Sequence, residues 1–439
     1  MSEPKRSNHY SVAVVGGGQA GLAMSWHLRR LGIGHVVFER DRVGHEWRDR
    51  RWDSFCLVTP NWQCDLPGFP YQGDDPDGFM VGADVVDHLE KYAASFDPPL
   101  AEGVDVTRLR RTRDGVFDLV TSGGRCTADQ VVVATGPYHR AAVPRIAERL
   151  PQRLVQVHSS QYRNAGRLPD GDVLVVGTGQ SGCQIAEDLH LAGRRVHLAV
   201  GSAPRAARRY RGRDTLAWLD EMGHYTRGID QFGDADEVRL RANHYMTGRD
   251  GGRDIDLRAF ARDGMRLYGR LTAIEDGTAH FGDDLAKHLD HADAVADGIK
   301  DAIDNWISAQ RRDAPAEERY VPVWQPDDGP RSLDTSEITA VVWATGFHRD
   351  HRWIEAPVFD GRGYPTHDRG VTSVPGLYFL GLPWQWTWGS GRFAGVARDA
   401  EHLAGRIVQA RRRQVVEDVS WLAGTPTETY PAMDWWAAA

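Results

Sequence analysis

The chain has 439 residues, 41% hydrophobic and 26% charged, which is the composition of an ordinary globular protein. At roughly 100–200 residues per domain it should hold two or three domains. With 53 basic and 61 acidic side chains its formal charge is −8, which argues against a nucleic-acid partner. No run approaches the roughly 20 apolar residues of a membrane span, so no integral membrane association is expected. Met1–Tyr10 is polar and lacks a signal-peptide pattern, so a cytoplasmic location is expected. Cys56, Cys64, Cys126 and Cys183 form no CxxC pair, so they are read as free thiols rather than a redox dithiol or zinc site.

In chain order, the first element is an apolar run, Val12–Val15, followed by Gly16-Gly-Gly18-Gln19-Ala20-Gly21 and a helix-compatible segment, Leu22–Leu31, that stops at Gly32. A second apolar run follows, His35–Phe38. The pattern returns at Val173–Val176, then Gly177-Thr-Gly179-Gln180-Ser181-Gly182, a helix-compatible Cys183–Leu191, a stop at Gly193, and Val196–Val200. Strand, glycine turn, helix and strand, twice over, is the context that makes GxGxxG a dinucleotide signal. A second echo interleaves with it: Val131–Val133 ends in Ala134-Thr135-Gly136, and Val341–Trp343 ends in Ala344-Thr345-Gly346. The fold class expected is therefore α/β, with two Rossmann-like dinucleotide-binding domains, the second inserted in the first. The expected boundaries are 1–150 for the first part of the FAD domain, 151–334 for the NADPH domain with an excursion, and 335–439 for the return to the FAD domain. Pro204–Leu333 is mostly polar and supports no finer reading.

The glycines have separate duties in such a turn. The first permits the bend, the second admits the pyrophosphate, and the third lets the helix pack on the strand; the helix N-terminus then attracts the phosphate. An acidic residue about 20 positions on takes the ribose hydroxyls. Glu39, 23 positions after Gly16, fills that place in the first copy, where FAD or NAD would both fit. The matching position in the second copy is Val200, followed by Gly201, Ser202 and, shortly after, Arg205. An arginine there would pair with a 2′-phosphate that a carboxylate would repel. FAD is assigned to the first turn and NADPH to the second, with Ala134, Thr135, Gly136, Thr345 and Gly346 as further cofactor contacts.

These motifs, with Trp47–Asp53, Thr59-Pro60, Leu66–Pro70 and His158–Tyr162, resemble the class B flavoprotein monooxygenases. The likeness is closest to the YUCCA-like and bacterial flavin-containing monooxygenase branch, and within it to a bacterial group of flavin-dependent oxidoreductases often encoded beside a nitrilase. It departs from the family's identifying FxGxxxHxxxF/Y at Gln152 and Leu154, and Tyr162 stands where Baeyer–Villiger members have Trp. The resemblance implies a reaction in two halves. NADPH reduces the flavin, and reduced flavin with O₂ forms a C4a-(hydro)peroxide that oxygenates a small organic substrate at N, S or C.

The resemblance also implies flavin contacts at Trp47, Arg48, Thr59 and Gly381, a peroxide-directed amide at Asn61, and a structural, NADP-side role for His158. Trp384, Trp386 and Trp388 alternate, so in an extended segment they share one face. Several of these, Trp388 foremost, are expected to wall the flavin and substrate cavity together with Trp47, Trp52 and Trp62. A helix is expected over Arg392–Val408. The arginines from Arg208 to Arg213, with Arg241, Arg249 and Arg253, are candidates for a substrate carboxylate or NADP. Cys183 is read as packing, and no histidine spacing suggests a metal. The alternatives are a flavin oxidase or oxidative decarboxylase, or a non-enzymatic flavin-binding regulator. A disulfide reductase shares the layout but needs the missing cysteine pair. A homodimer is the base-rate expectation.

Overall fold

The computed structural model describes residues 9–326 and 330–423. Two mainly parallel sheets carry the two glycine motifs. In the first, His9–Val15 lies between His35–Glu39 and Gly124–Val133, parallel to both, and Leu100–Glu102 extends the sheet beyond His35–Glu39. Gly124–Val133 changes partners along its length. Its first half pairs antiparallel with Phe117–Thr121, and its last residues pair parallel with Leu377–Phe379. The second sheet is parallel throughout, in the order Arg266–Tyr268, Val196–Ala199, Asp172–Val176, Ile338–Trp343, Val155–His158. Val12, Ala13 and Val14, and likewise Val173, Leu174 and Val175, are fully buried. Layers on both faces of such strands explain why each reads as an unbroken apolar run rather than an alternation.

The inserted arrangement is present, but its boundaries differ from the sequence reading. Ile338–Trp343 belongs to the second sheet, so residue 335 is not where the chain returns to the first. The chain leaves the first unit and re-enters it through one antiparallel ribbon, in which Ala141 pairs with Phe347 and Arg140 with His348. The return strands of the first sheet are Ile354–Glu355 and Leu377–Phe379. Each Ala-Thr-Gly strand thus pairs with the glycine-motif strand of its own sheet.

The expected helix at Arg392 starts at Phe393 and continues to Ala423. Val396, Ala400, Leu403 and Ile407 share one buried core with Leu22 and Leu28 of the helix Gln19–Arg30. The polar excursion contains a helix of 25 residues, Leu285–Ala309. Its buried face runs through Leu285, Leu289, Ala292, Ala296, Ile303 and Ile307, with His288 and Lys300 among them, at the helical spacing, a period that the polar composition of the segment as a whole conceals.

Candidate functional site

One cavity of about 1480 Å³ runs between the two glycine turns. Around the first turn it is lined by Gly16, Gly18, Gln19, Ala20, Glu39, Ala134, Thr135 and Gly136, and around the second by Gly179, Gln180, Ser181, Ser202 and Gly346. Trp47, Thr59, Gly381 and Trp388 also line it. Both helices start at a glycine, Gly18 and Gly179, with no side chain capping the free N–H groups. Three shorter helices of the excursion are instead capped by Asp214, Asp234 and Asp256. Uncapped donors facing a cavity suit an anion, and a Cβ on Gly18 or Gly179 would meet nothing within 4 Å, so the backbone is open to a ligand there.

The other glycines are structural. A Cβ on Gly21 would stand 1.8 Å from the Gly16 carbonyl oxygen, and one on Gly182 would stand 1.9 Å from that of Gly177. Gly21, Gly177 and Gly182 do not line the cavity; they let helix and strand touch. Thr345 also faces away, donating to the Ala142 carbonyl beside the ribbon. Glu39 is oriented by the backbone: its carboxylate accepts from Gly17 N–H at 2.7 Å and Asp41 N–H at 2.9 Å. The second turn has no such carboxylate. Thr178 occupies the place of Gly17, and its hydroxyl accepts from Gly201 N–H at 2.9 Å.

Several expectations are overturned. Arg205 is buried, its Nε donates to Asp293 at 2.6 Å, and its guanidinium lies 4.1 Å from the Tyr320 ring centre, so it is not free for a 2′-phosphate. Arg48 does not line the cavity and pairs with Glu90; Arg50 and Arg51 line it instead. Asn61 is buried away from the cavity. Its amide nitrogen donates to the Asp75 carbonyl at 2.9 Å and to Tyr71 Oη at 3.2 Å, and its Oδ1 accepts from Met80 N–H at 2.9 Å. A fully engaged amide has no donor left for a reacting oxygen.

The tryptophan run is not extended. Trp384 has a φ of +52°, and Gln385 N–H and Ser390 N–H close turns onto Leu382 and Thr387. Trp384 and Trp388 face the cavity, whereas Trp386 lies under Arg369 and against Gly228. Trp47 and Trp52 line the cavity, and Trp62 does not. Most of the candidate arginines are committed to carboxylates: Arg208 to Asp214, Arg211 to Asp304, Arg213 to Glu221, Arg249 to Asp188 and Arg253 to Glu187. Arg241 lines the cavity but pairs with Glu237.

His158 is structural. Its Nδ1 accepts from Ser160 N–H and its Nε2–H donates to the Gly346 carbonyl at 2.9 Å, which ties the second sheet to the ribbon. Burial holds its pKa below the ordinary histidine value. His139, on the cavity wall, was missed. Its Nδ1 accepts from Asp350 N–H at 2.7 Å, leaving Nε2–H for Thr135 Oγ1 at 3.2 Å. All four cysteines are free and buried, and burial pushes the Cys183 thiol well above its ordinary pKa, so it packs rather than reacts.

Two dinucleotide turns opening on one cavity define a class, the two-nucleotide flavoprotein oxidoreductases, and comparison with known proteins agrees. The chain is 33% identical over 405 residues to the uncharacterized oxidoreductase CzcO-like of Geobacillus kaustophilus, covering 90% of this chain and 98% of that one. It belongs to that CzcO-like oxidoreductase family. Residues 13–221 also match the pyridine nucleotide-disulphide oxidoreductase family model. The probable indole-3-pyruvate monooxygenase YUCCA3 of Arabidopsis thaliana is 30% identical over 202 residues, 43% of this chain and 46% of that one. Among solved structures, the flavin-containing monooxygenase of Stenotrophomonas maltophilia superposes with a TM-score of 0.63 at 19% identity, covering 92% and 99% of the two chains. The Kutzneria ornithine N-hydroxylase, solved with reduced FAD, NADP⁺ and L-ornithine, gives 0.60 at 16% identity, covering 92% and 100%. At these identities the structures establish the shared fold. No helix among the described residues is long and apolar enough to cross a membrane.

Proposed function

We propose that the chain is an FAD- and NADPH-dependent monooxygenase acting with O₂ on a small organic substrate. The observation that carries this reading is the single cavity shared by two uncapped glycine-turn helices, only one of which ends its strand pair in a carboxylate. Bound FAD supplies hydride acceptance and oxygen activation, and NADPH supplies the hydride. The chain's own part is position, dryness and charge. The turn at Gly16–Gly18 offers backbone donors to a pyrophosphate, and Glu39, held by two backbone N–H groups, faces the cavity as the acceptor for a ribose diol. The turn at Gly179 offers the same donors to a second dinucleotide. Exposed Ser202, with no acid at Val200, leaves room beside it for a 2′-phosphate.

Trp47, stacked on Phe393 with ring centres 6.1 Å apart, joins Trp52, Trp384 and Trp388 in the wall and keeps water from the region between the turns. His139 holds its proton on Nε2 toward Thr135 and thereby fixes the Ala-Thr-Gly end against the first turn. YUCCA3, 30% identical over its matched part, is by name a probable indole-3-pyruvate monooxygenase, which supports oxygen transfer over simple oxidation.

The test is rapid-mixing absorbance on the purified protein followed by oxygen accounting. NADPH should bleach the flavin at least tenfold faster than NADH at equal concentration. In a screen of amines, thioethers and carboxylic acids under ¹⁸O₂, at least one should gain labelled oxygen in proportion to NADPH used. Hydrogen peroxide matching all NADPH consumed, with every member of the screen, would overturn the oxygenase reading and leave an oxidase.

A further inference from the structure

Beyond the two turns, one side of the cavity is walled by a single apolar cluster: Leu216, Leu219, Tyr225, Met246, Ile299 and Trp388. Arg392 lines this side of the cavity; Arg51, which also has no carboxylate partner among the described residues, lies against Trp47 on another part of the wall, and Arg241 is paired with Glu237. The Arg392 guanidinium lies 3.9 Å from the centre of the Trp388 ring, and its Nη2 donates to Asn243 Oδ1 at 2.8 Å. Its Nη1 donates to the Trp388 carbonyl. A guanidinium has five N–H donors in a fixed fork, so these contacts leave most of its capacity free. Among the described residues no carboxylate pairs with it, whereas Arg205, Arg208, Arg249 and Arg253 each have one. Desolvation pulls its pKa below the ordinary arginine value, with only the Tyr138 and Tyr225 phenols set against it.

Arg392 is half-buried, with part of its guanidinium open to the cavity, and a ligand anion that displaced the remaining water would supply the counter-charge the protein does not. The phosphates of two dinucleotides have their own donors at Gly18 and Gly179. With the 2′-phosphate placed beside Ser202, the anion left for Arg392 is that of a substrate, and the chamber around it is apolar. Planar Arg against planar carboxylate is the favoured bidentate pair, and stacking on Trp388 and the Asn243 bond hold the fork in one plane. The imidazoles of His224 and His244 also line this side; burial lowers both, His244 to about 4, so they are neutral near pH 7 and do not compete with Arg392 for the anion.

We propose that Arg392, positioned by Asn243 and Trp388, anchors the carboxylate of an apolar carboxylic-acid substrate in this chamber. The inference deepens the oxygenase reading of the same cavity and rests on it for the word substrate, but its test needs no turnover.

The test is calorimetric titration of the full-length purified protein with phenylacetate and with its neutral isostere phenylacetamide. Phenylacetate should bind at least about tenfold more tightly, the size of a charge-assisted hydrogen-bond pair. Arg392→Met should bring the two ligands within about twofold, Arg392→Lys should keep part of the preference, and Asn243→Ala should lose a few-fold. NADP⁺ affinity and the flavin midpoint potential should not move in these variants. Absence of phenylacetate binding, or equal binding of acid and amide by the parent protein, overturns the proposal without reference to any variant's folding. A loss of NADP⁺ affinity in Arg392→Met would assign the guanidinium to a nucleotide phosphate, and a fall in flavin potential would assign it to the flavin; either overturns it. A chain that makes only hydrogen peroxide yet prefers the acid through Arg392 would sink the oxygenase reading and leave this assignment standing.

Discussion

The two glycine turns are nearly the same object built twice. Gly16 N–H donates to the Phe38 carbonyl at 2.8 Å, and Gly177 N–H to that of Ala199 at 3.0 Å. Ala134 N–H closes on Val15 at 2.8 Å, and Ala344 N–H closes on Val176 at 2.9 Å. A Cβ would strike the opposing carbonyl at nearly the same distance in Gly21 and Gly182. The copies part at the end of the next strand, where one presents Glu39 and the other Val200, and at the middle of the turn, where Gly17 becomes Thr178. Backbone geometry therefore decides that a dinucleotide can lie there. In the proposed assignment the side chains a strand later distinguish the two nucleotides, since that edge of such a turn faces the ribose rather than the pyrophosphate.

The largest expected effects break one copy and spare the other. Gly21→Ala forces a methyl into the Gly16 carbonyl, and Gly182→Ala does the same to Gly177; neither neighbour is a flexible side chain that could yield. Each should cost several kcal/mol locally. Gly21→Ala should purify without flavin. Gly182→Ala should keep its flavin yet bind NADPH at least about a hundredfold more weakly, read by the absorbance ratio of the purified protein and by NADPH titration. Loss of flavin from both variants would show that the two sites are not separable as drawn.

What could be read in the sequence was what the backbone must repeat. Both glycine strands, both Ala-Thr-Gly strands and the insertion follow from buried parallel strands that are apolar on both faces. The boundary at 335 failed because the second Ala-Thr-Gly strand was given to the domain that follows it. The pairing of Ile338–Trp343 with Asp172–Val176, next to its own glycine turn, gives it to the domain that precedes it. Side-chain commitments were less legible, since they depend on partners far along the chain. Arg205 is spent on Asp293, 88 residues away, and Asn61 on the Tyr71–Met80 loop. Arg392 was hidden for the opposite reason: it reads as an ordinary first-turn residue of a helix, and only the missing carboxylate around it marks it. Trp388 was reached through an alternation that the left-handed backbone at Trp384 breaks.

The first copy also carries a titratable group that closes it from behind. Asp399 sits on the helix that packs against Gln19–Arg30, is 1% exposed, and is pushed up to about 6 by burial, with Ser390, Arg369 and Arg398 opposing. A carboxyl whose folded pKa is raised favours the folded chain while protonated, and that advantage is lost as pH rises through about 6. Asn stays neutral throughout. Asp399→Asn should therefore gain on the parent between pH 4 and pH 7 by on the order of 3 kcal/mol, measured as the change with pH in the difference between their denaturant midpoints. A constant difference across that range would mean the ionised carboxylate is fully compensated by its arginines.

The smallest effect is the most specific to the difference between the copies. With Arg205 buried against Asp293, discrimination for the 2′-phosphate cannot rest on that guanidinium, and what remains is the absence of an acid beside the second turn. Ser202 is exposed on the cavity wall, two residues past Val200, and a carboxylate there would line the cavity beside the second turn, as Glu39 does beside the first. Val200 itself is 2% exposed, so an acid at that position would be penalised for burial before it met any nucleotide. Ser202→Asp avoids that cost. It should weaken NADPH by about tenfold, the effect of one like-charge contact near a protein surface, while NADH changes by less than twofold. The measurement is the ratio of kcat/KM for flavin reduction by the two nucleotides. If both fall together, Ser202 lies under the pyrophosphate rather than the ribose, and the correspondence between Glu39 and this edge of the second turn does not hold.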